Sequence, residues 1–554
     1  MKNWALLLLI VCFFSCSKNK ESTPPPVPGS FLISSVKINN QFADQSNNFL
    51  QVNLNTDIKI SFNAPVNRNS VGSNISLSQD GGGASTLNIS YSNSDSSIEV
   101  RPSVPLNGIS KYLLSINTGL ESNQQIVLKN NASFNLITAI DSTDKYPRVS
   151  DSVLLDLVEK QTFKYFWDFG HPVSGMARER NTSGDIVTTG GTGFGVMSIL
   201  VGINRNFISR ADGLQRIQTI VNFLQTNCTR FHGAFSHWIN GATGATIPFS
   251  TQDDGADLVE TSFLMQGLLC ARQYFNAASA DETNLRNGIN NLWNGIEWNW
   301  FRNGGQNLLI WHWSPNYNFD INMQIKGWNE ALVVYVLAAS SNKDSIPRIV
   351  YDNGWASNGA MRNGSTFYNI KLPLGPDLGG PLFFSQYSFL GINPNNLTDT
   401  YANYFTQNNA QSLINYNYCV ANPQHFNGYS KSVWGLTSSD DNISSYSAHS
   451  PSNDDGVISP TAAISSLPYT SSQSMDALRF FYYTLGDKLF KQYGFVDAFN
   501  LTDAWFADSF LAIDQGPEIV MIENYRTGLL WNLFMSCPEI KRGMKQLGFQ
   551  SPSL

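Results

Sequence analysis

The feature that most constrains this chain is a change of sequence pattern near residue 145. Residues 31–140 alternate apolar and polar positions with period two: Leu50, Val52, Leu54; Ile58, Ile60, Phe62; Leu87, Ile89, Tyr91; Tyr112, Leu114, Ile116; Phe134, Leu136. Successive side chains of a strand point to opposite faces, so each run buries one face and wets the other. Turn-rich patches (NAPVNRNS, QDGGGAS, SNSDSS) separate the runs, and that spacing predicts a β-sandwich. After the link IDSTDKYPRVSD the apolar period lengthens. Asp151 is a plausible N-cap, with Leu154, Leu157, Val158 and Phe166 at helical spacing behind it. Further helices are expected around 193–203, 212–227, 257–276, 283–298, 329–340, 397–418, 456–466, 473–485 and 518–535. Of 13 Trp, twelve lie at or after Trp167 and none between residues 31 and 150. The chain thus reads as a small all-β body (31–140) followed by a large, mainly α body (148–550). Long loops rich in Gly, Asn, Pro and aromatics interrupt the α body. A toroid of paired helices, an (α/α)6 barrel, fits it, with a cavity at one end where the loops gather. A repeat solenoid is the competitor, but no fixed-period self-similarity is present. Loops 359–395 and 419–455 are expected to close one end of the cleft.

The N-terminus reads as an address. Lys2 precedes an unbroken apolar run, Trp4–Phe14, too short to span a bilayer but suited to a signal peptide over 1–15. The pattern FFSC resembles the relaxed lipobox of bacterial lipoproteins, which makes Cys16 the lipidated residue. Residues 16–30 follow as a Pro-rich linker, a semi-rigid spacer. The expected location is the bacterial outer membrane, reached through the lipid anchor only, on its periplasmic or outer side. No later segment holds eighteen uninterrupted apolar residues.

Charged residues make up 14% of the chain and the net charge is −7, which argues against a nucleic-acid partner. Cys228, Cys270, Cys419 and Cys537 form no CxxC pair, and the six His show no HExxH spacing, so no metal and no cofactor is expected. A monomer is the expected state.

The chemistry concentrates in PFSTQDDGADLVETSFLMQGLLCARQYF (248–275). Asp253, Asp257 and Glu260 stand at i, i+4 and i+7, one face of a helix that is otherwise apolar. Acids there are costly unless paired or opened to a polar cavity. Capping and dipole contacts explain Asp253 and Asp254 well, Asp257 less well and Glu260 poorly. Glu330 follows Gly327, Trp328 and Asn329 at the mouth of another apolar helix. Its position suits either a first-turn acid or a desolvated general acid. In AIDQGPEIVMIENYRTGLLWNLF (512–534), Asp514 and Glu518 flank an expected Gly–Pro turn, and Glu523 and Arg526 are spaced to pair with each other. Two carboxylic acids across a sugar bond are the minimum for glycoside hydrolysis. Trp238, Trp311, Trp313 and Trp328 lie in polar, loop-like contexts and are candidates for stacking on sugar rings. Trp293, Trp298, Trp300 and Trp531 read as core.

Residues 150–550 resemble the bacterial glycoamylase-like domain, the group containing β-1,2-glucanases of glycoside hydrolase family 144. SGMARERN (174–181), TGGTGFGVMSILVGINRNFISR (189–210), HGAFSHWING (232–241), TQDDGADLVETSFLMQGLL (251–269), GWNEALVVYVLAASS (327–341) and AIDQGPEIVMIENYRTGLLW (512–531) carry the resemblance. The stretch before them resembles bacterial immunoglobulin-like domains. The resemblance implies an (α/α)6 toroid and inverting hydrolysis of β-1,2-glucan, endo-acting or releasing a sophorose-type disaccharide. It places the family's acidic triplet on Asp253, Asp257 and Glu260, and the proton donor on Glu330. Asp514 is a further candidate base, and the acid that prepares water stays open. Arg178, His237, Trp238, Trp311, Trp313, Trp328, Glu523, Tyr525 and Arg526 are the candidate substrate-binding residues. NRNF (204–207) departs from the family's Arg-Gly-Phe, a change expected to bear on substrate length.

Two rivals use the same fold. A non-catalytic glycan-binding lipoprotein would share the aromatic cleft but has no need of desolvated carboxylates. A polysaccharide lyase would use His237 and Arg178, yet an acid-rich face repels an anionic substrate.

Overall fold

The computed structural model describes residues 29–43 and 47–554. The expected signal peptide, Cys16 and most of the linker lie outside them. The chain divides into two compact units between Ala139 and Ile140.

The first unit holds nine strands among the described residues: β1 (Ile33–Ile38), β2 (Gln41–Phe42), β3 (Asn48–Val52), β4 (Ile58–Phe62), β5 (Ile75–Gln79), β6 (Leu87–Ser92), β7 (Ser97–Pro102), β8 (Lys111–Ile116) and β9 (Ala132–Thr138). They form a sheet of order β2-β1-β4-β7-β6 and a second of order β3-β9-β8-β5, with β3 parallel to β9. Inward residues such as Ile58, Ile60, Val100, Leu114 and Leu136 are fully buried between the sheets. Period-two alternation marks β4, β6, β8 and β9; in β3 the expected run is broken, with Phe49 and Val52 buried and Leu50 48% exposed, because the register shifts between Phe49 and Val52. The runs read from the sequence leave out β1, β5 and β7, whose alternation is two buried apolar residues long: Val36 and Ile38, Ile75 and Leu77, Ile98 and Val100.

The second unit alternates outer and inner elements. The inner helices are α1 (Thr189–Asn204), α2 (Leu258–Tyr274), α3 (Leu332–Ser340), α4 (Pro460–Ser465) and α5 (Ala512–Thr527). The 3-10 turns Leu382–Ser385 and Tyr387–Leu390 take the sixth inner place. Outer helices Asp151–Trp167, Arg210–Thr226, Ala280–Asn294, Arg348–Asn353, Tyr404–Ala421 and Ser471–Arg479 alternate with them in the chain. Every residue of α3 and of α4 is buried, as a helix apolar all round requires. α1 packs on α2 and α5, α2 on α3, and α4 on α5. The Gln386 amide donates to Ala462 O (3.0 Å) and links the 3-10 segment to α4. The result is the (α/α)6 toroid.

α1 and α2 touch main chain to main chain. A Cβ on Gly193 would stand 2.1 Å from Phe263 O, and one on Gly267 would stand 2.1 Å from Gly193 O. Only glycine permits that approach.

Several helix limits differ from the sequence reading. α5 begins at Ala512, so Gly516 and Pro517 lie within the helix and Asp514 and Glu518 flank no turn. Pro517 forfeits a single backbone bond there. Gly528, at φ 70°, ends α5 and separates it from Leu529–Met535. The helices Arg348–Asn353 and Pro538–Leu547 have no counterpart among the expected ones. Trp293, Trp298 and Trp531 are buried, but Trp300 is 42% exposed and stacks on His232.

Candidate active site

The beginnings of α1, α2, α3 and α5 converge on a cavity of about 380 Å³, lined by residues that include Thr188, Glu260, Glu330, Leu511 and Ile513. Helix N-termini carry unpaired N–H groups and partial positive charge, so acids gathered there are favoured. Phe383 and Tyr387 of the inner 3-10 turns, and Ser438 and Tyr446 of the hairpin Ser438–Asp441 with Ser445–Ala448, supply another part of the wall. They come from the loops expected to close the cleft.

Asp257 is the hinge of the acidic cluster. Residues Ala256–Asp257 pair antiparallel with His312–Trp313, so the chain is extended up to Asp257 and helical after it. The shared helical face expected for Asp253, Asp257 and Glu260 is therefore corrected: Asp253 precedes the helix, and the N-cap is Asp257. Its Oδ1 accepts from Val259 N and Glu260 N, both at 2.9 Å. Its Oδ2 lies 2.9 Å from His237 Nδ1 and 3.8 Å from His312 Nε2. Burial pushes the Asp257 carboxyl up, but the His237 hydrogen bond and the two imidazoles outweigh it, and the net shift is down. Burial pulls His237 the other way, and Glu260, Asp257 and Asp253 overcome it, raising His237 to about 9. Asp257 and His237 are thus an ion pair at neutral pH. Asp253 stands 3.3 Å from His312, and burial beside Asp257 raises it to about 6.

Glu260 sits one turn on. Its Oε2 accepts from Gly190 N (2.7 Å) and Thr188 Oγ1 (2.9 Å). A Cβ on residue 190 would lie 2.8 Å from that oxygen, so glycine is what allows the grip. Burial raises Glu260, against the pull of His237. Glu330 stands beside Ala331, the N-cap of α3. The Ser388 hydroxyl donates to Glu330 O and accepts from Val333 N, which fixes the start of the helix. Burial, with Asp257 and Glu260 adding to it, raises the Glu330 carboxyl to about 7. A raised carboxyl beside the Asp257–His237 pair is the kind of arrangement that general acid catalysis needs.

Asp514 stands behind the wall rather than on it. Burial, then the neighbouring Asp497, hold its carboxyl well above the usual range, and burial raises Asp497 to about 7. Asp497 in turn accepts from Asp440 N at 2.7 Å. Arg180 bridges Asp440 and Glu179, and both Arg180 and Glu179 line the cavity. The sequence reading passed over both. Their only signal was adjacency to Arg178 inside a matching stretch.

Trp238 and Trp311 line the cavity with Phe249. Other candidates fall elsewhere. Trp328 is 5% exposed and its indole N–H donates to Gln411 at 2.8 Å, so it is core. Trp313 packs on His232 and Trp300, off the cavity lining. Arg178 donates to Phe169 O and Gly184 O and faces away. Glu523, Tyr525 and Arg526 sit at the far end of α5. Glu523 binds Arg205 (2.6 Å), Arg526 binds Asp156 and Glu159, and Tyr525 is 44% exposed. Glu523 and Arg526 therefore do not pair with each other, because buried cations and acids of neighbouring helices outbid the three-residue spacing. Asn204–Phe207 lies at that same far end, so its departure from the family pattern does not touch the cavity.

Comparison with known proteins finds relatives for both units. Residues 322–538 match the glycoamylase family described as "Putative glucoamylase", and residues 41–136 match the bacterial Ig-like domain family. The endo-β-1,2-glucanase of Chitinophaga pinensis, solved with sophorotriose and glucose, is 49% identical, with a TM-score of 0.72 over 74% of this chain and 100% of that one. The β-1,2-glucanase of Parabacteroides distasonis is 36% identical, with a TM-score of 0.70 over 94% of this chain and 73% of that one. An exo β-1,2-glucooligosaccharide sophorohydrolase (non-reducing end) of Parabacteroides distasonis is 45% identical over 429 residues, 73% of this chain. This chain spans 59% of that relative's length. The chain belongs to the glycoamylase-like family, glycoside hydrolase family 144.

Proposed function

We propose that this protein hydrolyses β-1,2-glucan, endo-acting or releasing a sophorose-type disaccharide, with inversion at the anomeric carbon. One observation carries the reading: a carboxyl raised to about 7, Glu330, shares a cavity with a carboxylate cluster anchored by the Asp257–His237 ion pair. Glu330 protonates the leaving oxygen. The cluster of Asp257, Glu260 and His237 supplies the negative charge that prepares water and steadies the oxocarbenium-like transition state. Glu260 is its member on the cavity wall. Trp238 and Trp311 offer faces for sugar rings, and Arg180 is a cationic donor for hydroxyls.

The test is product analysis on linear β-1,2-, β-1,3- and α-1,4-glucans, with the first-formed anomer read by NMR. Sophorose-series products from the β-1,2 substrate alone, released as the α-anomer, are expected. Cleavage of a different glucan with no β-1,2 products overturns the substrate assignment. A retained β-anomer overturns inversion.

The chain acts as a monomer anchored to the outer membrane through a lipidated Cys16. The run Trp4–Phe14 ahead of Ser15–Cys16 supports the anchor. Metabolic labelling with a fatty acid and membrane fractionation check it: Cys16→Ala loses both label and membrane association. Unchanged fractionation removes the anchor from the account.

A further inference from the structure

The hairpin of Ser438–Asp441 with Ser445–Ala448 sends Ser438 and Tyr446 into the cavity. At its base, Asp441, His449 and Asp455 each offer one ligand atom, and those atoms lie within 4.8 Å of one another. His449 is completely buried, and neither ring nitrogen has a hydrogen-bond partner. An imidazole always carries at least one N–H, and a buried donor with no acceptor is costly. Its Nε2 stands 3.7 Å from Asp441 Oδ2. That is too long for a hydrogen bond. It fits two neighbouring ligands of one ion at an angle of roughly 115–135°, given bonds of about 2.0–2.2 Å to each.

The Asp441 carboxylate is already aimed. Its Oδ1 accepts from Ile443 N and Ser444 N, and its Oδ2 accepts from Ser444 Oγ at 3.0 Å with a lone pair to spare. The adjacent Asp454 accepts on Oδ1 from the Tyr429 hydroxyl and Gly456 N, while its buried Oδ2 has no hydrogen-bond partner. Asp455 is half-buried and gives the site a path to solvent. The cluster of His237, Asp253 and Asp257 differs: there a 2.9 Å hydrogen bond already joins imidazole to carboxylate.

We propose that Asp441, His449 and Asp455 bind one first-row transition-metal dication, such as zinc, and that the ion pins the hairpin carrying Ser438 and Tyr446 against the cavity. One imidazole with two carboxylates suits zinc or manganese. Calcium and magnesium favour all-oxygen shells.

The test uses the full chain stripped with EDTA and titrated with zinc chloride, read by calorimetry, metal content after dialysis and melting temperature. Expected are one zinc per chain and a melting temperature raised by a few degrees, since an ion that binds only the folded state stabilises it. Affinity should fall at least about tenfold in both His449→Gln and Asp455→Asn, and stay unchanged in His237→Asn. Three results overturn the proposal: no zinc uptake by the wild type, uptake retained in both ligand variants, or uptake lost in His237→Asn instead. If His449→Gln does not fold, the partly exposed Asp455→Asn decides alone. A response to calcium with none to zinc also overturns it.

Discussion

At the residue scale the site is a question of which acids hold a proton. As the proposed proton donor, Glu330, raised to about 7, must be protonated to act. Activity on β-1,2-glucan should therefore decline on the alkaline side with a midpoint near pH 7, a limb read from kcat/KM. Glu330→Gln should lower kcat by about 10²–10⁴-fold with the melting temperature unchanged, and the limb should vanish from what activity is left. A flat profile to pH 9 in the wild type would remove Glu330 from the donor role. His237 obeys the opposite sign. Its folded pKa is raised to about 9, so the stability it lends is complete below its unfolded value of about 6.5 and is lost as pH rises through 9. His237→Asn leaves the buried charge of Asp257 unpaired. It should lower stability at pH 6 by more than at pH 9.5, as thermal melts at the two pH values will show.

These residues were only partly legible in the sequence. The acids were visible because carboxylates in an apolar stretch demand an explanation, and Asp257, Glu260 and Glu330 do meet in one place. What stayed hidden was anything that depends on which way a loop turns. Trp328 and Trp311 have equally polar neighbours in sequence, yet one is sealed behind Gln411 and the other faces the cavity. Arg178 and Arg180 stand two residues apart on an extended segment, and only Arg180 reaches Asp440. His237 was legible as a candidate, but its pairing with Asp257 is a contact between separate strands and helices that no local spacing encodes.

At the scale of elements, the fold was more legible than the site. Long helices with an apolar period were found because burial on one side imposes 3.6-residue spacing. Their starts were less secure. The extended pair Ala256–Asp257 with His312–Trp313 holds Asp253 off the helix, and a two-residue strand leaves no periodic trace. Gly–Pro at 516–517 reads as a break, but the helix has already begun four residues earlier at Ala512. The α1–α2 contact gives a prediction at this scale. Gly193→Ala pushes a methyl group into Phe263 O and should cost about 3 kcal/mol or more, measured by denaturant unfolding. Because that shift parts Gly190 from Glu260, activity should fall further than stability alone explains.

For the whole molecule, the two units have separate cores. The sandwich holds its own apolar interior, and all the acids and aromatics of the cavity come from the second unit. A fragment of residues 140–554 should fold alone and cleave soluble β-1,2-glucan at a rate within about twofold of the full chain, by reducing-end assay. A fragment that folds but has lost activity would assign the sandwich a part in the reaction. The composition now has an address as well: the Trp residues after residue 150 divide between a packed interior and a few faces at one end of a ring.

The glycine seam between α1 and α2 has a further consequence. Side chains between helices act as bearings, because each can change rotamer and let one helix slip on the next. Where Gly193 and Gly267 meet backbone with backbone there is no bearing, and the two helices behave as one plate. That plate carries Thr188 and Gly190 on one half and the carboxylate they hold on the other. The wall around Ser438 and Tyr446 hangs on a two-stranded hairpin. Changes in hairpin length there can reshape how many sugar units fit, while the grip on Glu260 sits on a seam closed by backbone contact.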